Sequence, residues 1–164
     1  MTTSLTHARL RELLDYNPET GVFTWRVHRE RYYCAGKIAG TTDKHGRHQI
    51  QIDKKIYRAG SLALFWMTGR MAVADHINCD PSDDRWSNLR KATPAQNGAN
   101  KRPHKRKLYS PLKGVTVNWH GRFQAQIGVN GCNIYLGLFD TAEAAHAAYV
   151  AAAKKYFGAF ARSS

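Results

Sequence analysis

Cysteine is scarce, and its arrangement is uninformative for cross-linking. Cys34, Cys79 and Cys132 are odd in number, far apart, and form no Cys-x-x-Cys pair, so neither a disulfide framework nor a cysteine zinc site is expected. A reducing cytosol suits this usage. Long apolar runs are missing too: a stretch such as Leu62–Met67 is far below the ~18 residues needed to span a bilayer, and the first residues, Met-Thr-Thr-Ser-Leu-Thr, lack the charged-then-apolar pattern of a secretory leader. No membrane association is expected. Acidic residues are few, 12 against 25 Lys and Arg, which excludes an acidic disordered tail. Internal repeats are absent. What remains is a chain of 164 residues, 43% hydrophobic and 11% aromatic, with a net charge of +13. That is enough apolar material for one ordinary domain or two or three small ones.

The positive charge calls for a polyanion, and nucleic acid is the common one, because each cation placed on a phosphate releases a condensed counterion. Its distribution is uneven. From Gly98 onward the sequence carries Lys101, Arg102, Lys105, Arg106, Lys107, Lys113, Arg122, Lys154, Lys155 and Arg162 against only Asp140 and Glu143. A small-molecule substrate is not suggested by anything in this pattern.

Along the chain, Leu5, Leu10, Leu13 and Leu14 predict a helix over 5–15. Asn17–Gly21 reads as a turn and Val22–Val27 as a strand. His48–Asp53 alternates polar and apolar residues and predicts a half-buried strand, turned back at Lys54-Lys55 into Ile56-Tyr57. Ser61–Thr68 predicts a short buried helix closed by Gly69. Two short strands follow, Val73–Ile77 and Asn88–Ala92, around the polar loop Asn78–Asp84. Thr93-Pro94 then opens a helix, with Thr as the cap and Pro where its missing N–H costs nothing. Residues 102–111 hold two prolines among basic side chains and predict an extended cationic linker. The remainder predicts three strands, Gly114–Asn118, Arg122–Ile127 and Cys132–Gly137, joined by turns at His120-Gly121 and Asn130-Gly131. Asp140–Glu143 opens a helix, with a capping-box spacing if Asp140 is the cap, and Ala145, Ala148, Tyr149, Ala152 and Tyr156 fall on one face. Trp119, Phe123 and Tyr149 are candidates for its core or for an interface.

One constellation carries chemistry. Asp75-His76, Asn88 and Asn97 lie on a strand–loop–strand–helix unit that can bring them to one site. A carboxylate and an amide oxygen are hard ligands suited to Mg²⁺ or Mn²⁺. An imidazole beside them can take a proton from water near neutral pH, and Asn88 could hold that imidazole by its other nitrogen. Such a set suits water attack on a phosphodiester with one metal on the leaving oxygen.

The stretch Asp75-His76-Ile77-Asn78-x-Asp80-x₅-Trp86-Ser87-Asn88-Leu89-Arg90-x-Ala92-Thr93-x-x-Gln96-Asn97-x-x-Asn100 resembles the signature of HNH endonucleases, particularly the phage and intron-encoded homing type. Leu13–Trp25 and Met67-Thr68-Gly69 resemble phage members as well. The tail is similar to AP2 DNA-binding domains at Lys113-Gly114-Val115, Gly121–Ile127, Tyr135-Leu136-Gly137 and Thr141–Ala145. The resemblance implies an α+β protein of four parts. An α+β supporting region (1–70) precedes an HNH ββα-metal core (71–101). A basic linker (102–111) then leads to an AP2-like three-stranded antiparallel sheet on one helix (112–164).

The implied activity is hydrolysis of phosphodiester bonds in double-stranded DNA by a metal-dependent, phage-type homing endonuclease, working in the host cytosol if phage-encoded. The implied roles are His76 as general base, and Asn88 orienting the histidine or bracing the loop. Asp75 and Asn97 would hold one divalent ion, Mg²⁺ or Mn²⁺. DNA would be met by Lys101, Arg102, Lys105, Arg106, Lys107, Lys113, Thr116, Asn118, His120, Arg122, Gln126, Asn133 and Tyr135. Four departures stand out. Asp84 replaces a frequent Asn and Cys79 a frequent Gly. Ala59-Gly60-Ser61 stands where relatives often have a His-Arg pair. Several arginines and tryptophans of plant AP2 domains are absent, so arginine readout of guanine is largely unavailable. These losses leave a second reading, a sequence-specific DNA-binding regulator that keeps the HNH scaffold without catalysis.

Overall fold

A computed structural model describes residues 4–28, 33–100 and 112–161. The chain forms two compact units, Met1–Ala92 and Thr93–Ser164, in a mixed α and β architecture built from small antiparallel sheets and short helices.

The first unit opens with α1 (His7–Leu13), capped by the Thr6 hydroxyl, which accepts from the Arg9 N–H at 3.1 Å. The helix predicted to run to residue 15 stops at Leu13. Leu14 instead starts β1 (Leu14–Tyr16), which pairs antiparallel with β2 (Phe23–Trp25). The reason is burial: Leu14 and Tyr16 alternate inward along the strand while Asp15 faces water, and pairing with a strand outweighs the helical spacing of the leucines. A second sheet holds β3 (Thr41–Thr42), β4 (His48–Ile52) and β5 (Lys55–Arg58) in that order. The β4–β5 turn falls on Asp53-Lys54, one residue before the predicted Lys54-Lys55, because Ile52 pairs with Lys55 and leaves only two residues to reverse the chain.

Next comes α2 (Ala59–Thr68), with all of Ala59, Gly60, Leu62, Ala63, Leu64, Phe65 and Trp66 buried. Its side chains, with Leu10, Leu14, Phe23, Ile50, Ile52 and Leu89, form the core of this unit. On this core sits the two-stranded sheet of β6 (Ala74–His76) and β7 (Leu89–Lys91), in which Asp75 faces Arg90 and His76 faces Leu89. The core thus lies directly beneath the strands that carry the conspicuous polar residues.

The second unit begins with α3 (Pro94–Asn100). Its start is a reciprocal cap: the Thr93 hydroxyl accepts from the Gln96 N–H at 3.2 Å, and the Gln96 side-chain oxygen accepts from the Thr93 N–H at 2.8 Å. A three-stranded antiparallel sheet follows, made of β8 (Val115–Val117), β9 (Phe123–Val129) and β10 (Cys132–Phe139), with β9 in the middle. The helix α4 (Ala142–Phe157) packs on it through Ala145, Tyr149 and Ala153. Small side chains bring helix and sheet close, and at Gly114 (φ +77) a Cβ would lie 2.0 Å from the Tyr149 ring, so only glycine fits.

Two expectations change here. The cap of α4 is Thr141, whose hydroxyl accepts from the Ala144 N–H, whereas Asp140 turns outward to Arg122 at 2.8 Å. Tyr156, predicted on the packed face, is 43% exposed, while Ala153 takes the inward place.

Candidate nuclease site

The β6–β7 hairpin gathers the polar residues of the first unit. Asp75 is the middle residue of a three-residue strand whose centre faces inward, and its side chain is only 3% exposed. Burying a carboxylate requires a partner, and Arg90, opposite it in register, supplies one: the guanidinium Nε donates to Asp75 Oδ2 at 2.7 Å. His76, the last residue of β6, keeps a fifth of its side chain exposed. Its Nε2 lies 2.9 Å from Oδ1 of the buried Asp84.

Asn88 is also buried, but its amide is spent on the loop between the strands. Its oxygen accepts from the Asn78 N–H at 3.0 Å, and its nitrogen donates to Asn78 Oδ1 at 3.0 Å and to the Asp83 carbonyl at 2.7 Å. Of the two roles implied for this residue, these bonds are of the bracing kind. The imidazole is met by Asp84, which the sequence marked only as a departure from a frequent Asn. A carboxylate eight residues past the histidine was the available signal, but nothing local says that the loop folds back by that amount.

The loop is tied internally at nearly every step. Asn78 Oδ1 accepts from the Asp80 N–H, Asp80 Oδ1 accepts from both the N–H and the hydroxyl of Ser82, and Asn78 Nδ2 donates to Asp83. Arg85 grips Asp83 with two parallel bonds of 2.7 Å. These Arg85 hydrogen bonds, the largest influence, hold the Asp83 carboxyl down at about 2, below the usual carboxylate range. Ser82 lowers that of Asp80 in the same way.

Asn97 stands on α3 of the second unit, where its N–H donates to the Thr93 carbonyl at 2.9 Å. Lys101, Arg102, Lys105, Arg106 and Lys107 lie outside the described residues. The other residues expected to meet DNA fall into two groups. Thr116, Gln126, Asn133 and Tyr135 alternate with the inward Val115, Ala125, Ile127 and Ile134, so they share the sheet face turned away from α4. Gln126 pairs across with Tyr135, which is 61% exposed.

The second group has structural duties. Asn118 closes the β8–β9 turn, its side-chain oxygen accepting from the N–H groups of His120 and Arg122. Arg122 is paired with Asp140. The Lys113 ammonium donates to the Ala99 carbonyl near the end of α3. Trp119, at the tip of the β8–β9 turn, is 90% exposed, with its ring tilted 37° to that of His120 at 3.6 Å between centroids. It is not a core residue, whereas Tyr149 is buried and Phe123 packs partly buried against the core.

Among the described residues no group of three or more His, Cys, Asp or Glu is placed to hold a metal ion, and no helix is long and apolar enough to cross a membrane. A family model described as HNH endonuclease matches residues 71–99. This supports a nuclease of the HNH kind with DNA as its substrate. No curated protein matches the chain.

Proposed function

We propose that the protein is a metal-dependent endonuclease that hydrolyses phosphodiester bonds of double-stranded DNA, of the phage homing type. The observation that carries this reading is His76 at the mouth of the β6–β7 hairpin, part-exposed beside a buried carboxylate, inside the segment that matches HNH endonucleases. In the proposed reaction a neutral His76 imidazole takes the proton of a water. The oxygen of that water attacks the phosphorus, and the P–O bond to the leaving strand end breaks. Asn88 acts at one remove, by fixing the loop.

The donor chemistry fits a hard divalent cation. Asp75 would supply the carboxylate, and Asn97 on α3 is the amide that the resemblance adds. Mg²⁺ keeps several waters and binds through one or two carboxylates plus substrate oxygens, so a cage of acidic residues is not needed. Such an ion, when bound, stabilises charge on the leaving oxygen. The AP2-like tail would hold the duplex, through its outward sheet face and the basic linker, as β-sheet readers do.

The Asp75–Arg90 pair favours a second reading. A carboxylate already neutralised by a guanidinium suits a scaffold that binds DNA without cutting it. Incubating the protein with supercoiled plasmid and Mg²⁺ or Mn²⁺, beside His76→Ala, separates the two. Nicking that falls about 10²–10⁴-fold in the variant, with DNA binding retained, is expected. Binding with no metal-dependent nicking by the parent protein would decide for the regulator, and equal nicking by both proteins would remove His76 as the base.

A further inference from the structure

Asp84 and the N-terminal hairpin stand together at one point of the first unit, and the segment matching HNH endonucleases covers only the former. The Asp84 side chain reaches His76 Nε2, while its backbone is clamped by the N-terminal hairpin. The Tyr16 hydroxyl donates to the Asp84 carbonyl at 2.7 Å, and the Trp86 N–H donates to the Pro18 carbonyl at 2.9 Å. Between them Gly21 (φ +75) lies so close that a Cβ there would sit 2.5 Å from the Asp84 carbonyl carbon and 2.6 Å from the Arg85 nitrogen. Backbone meets backbone with no room for a side chain. Tyr16 is 5% exposed, and burial, with the charges of Asp84 and Asp83 adding, raises its pKa, so its hydroxyl stays a donor. Below the carboxylate, Gly60 of α2 leaves the space that Asp84 occupies: a Cβ there would come within 3.0 Å of Asp84 Oδ1. Two departures from the family pattern, Gly60 and Asp84, therefore fit one another.

We propose that Asp84, held in place by the 16–21 hairpin, is a positioning residue that fixes the ring orientation and tautomer of His76. A carboxylate accepts and cannot donate, so Nε2 must carry the proton of a neutral imidazole and Nδ1 must carry the lone pair. The base nitrogen is then one defined atom of the ring. The hairpin of residues 14–25 acts through Asp84 on the reacting group, which gives the supporting region a part in the chemistry. This inference rests on the endonuclease reading for its activity readout but not for its structural one.

The test uses the full chain, labelled with ¹⁵N, as the parent protein and as Asp84→Ala, Asp84→Asn and Tyr16→Phe. His76→Ala identifies the His76 ring signals. At a pH where the imidazole is neutral, long-range ¹H–¹⁵N correlation reads which ring nitrogen bears the proton. The parent protein is expected to show protonated Nε2. Asp84→Ala should show a mixture of tautomers, and Asp84→Asn should lie between that and the parent signature, because its amide can accept through Oδ1 or donate through Nδ2. Tyr16→Phe should show a smaller shift toward the mixture.

In plasmid nicking, Asp84→Ala should lose about 10–100-fold in kcat, part of the roughly 10²–10⁴-fold that a general base supplies, with KM little changed. Asp84→Asn should recover part of that loss. An unchanged tautomer or an unchanged kcat in Asp84→Ala would overturn the proposal. If the tautomer shifts as expected but the parent protein never nicks DNA, the endonuclease reading fails and the positioning of His76 by Asp84 stands.

Discussion

The loop between β6 and β7 and the outer face of the β8–β10 sheet use similar polar residues in opposite ways. In the loop, Asn78, Asp83, Asp84 and Asn88 spend their side chains on one another and on backbone, and Asp84 and Asn88 are buried. On the sheet, Asn133 and Tyr135 point outward, and Trp119 stands almost wholly in water at the tip of the neighbouring turn. The first arrangement fixes a geometry before any ligand arrives, as chemistry at a single atom demands. The second leaves hydrogen-bonding groups to be satisfied by water, and so leaves them available to a partner. An amide in a sequence says little about its duty until its burial is known.

The largest effect expected from this contrast is on the binding side. If the basic tail and linker engage ~6–10 phosphates, DNA affinity should fall about 10³–10⁵-fold between about 50 and about 200 mM salt, measured by titration of a labelled duplex. A complex indifferent to salt would break the comparison by removing the cationic half of it.

A smaller but still large effect is expected in the hairpin. Asp75→Ala removes the carboxylate that the Nε of Arg90, 19% exposed, meets at 2.7 Å. Breaking a buried pair from one side costs about 3–5 kcal/mol, read as a lower denaturant midpoint. A loss under ~1 kcal/mol would mean that Asp75 is held for its chemistry more than for its packing. The smallest effect is on the sheet side: Trp119→Ala should leave stability within about 0.5 kcal/mol. A clear drop in melting temperature would assign that ring to a core after all.

What could be read from the sequence was what neighbouring residues decide. The Thr93 cap, the Asn130-Gly131 turn and the three strands of the tail each have their cause within a few positions. Errors came where a distant partner decided. Leu14 joined a strand because Trp25 pairs with it, and the α4 cap moved to Thr141 while Asp140 pairs with Arg122. In the candidate site, His76 and Asp75 were legible by type and spacing, but their partners were not. Arg90 meets Asp75 only through the register of two strands, and Asp84 meets His76 only through the fold of a seven-residue loop whose course is set partly by Tyr16 and Pro18. Two strands joined by a long loop have no tight turn to set their register, and long-range clamps have no local signature.

Cys79, within that loop, sits with its backbone in the left-handed region (φ 61), where an L side chain costs about 1–2 kcal/mol relative to the right-handed form. Anyone removing this thiol to make the protein easier to handle faces a choice with unequal results. The customary serine exchange disposes of the sulfur but keeps a Cβ at a mirror-handed position. Glycine disposes of both and adopts the left-handed backbone of this loop without steric cost.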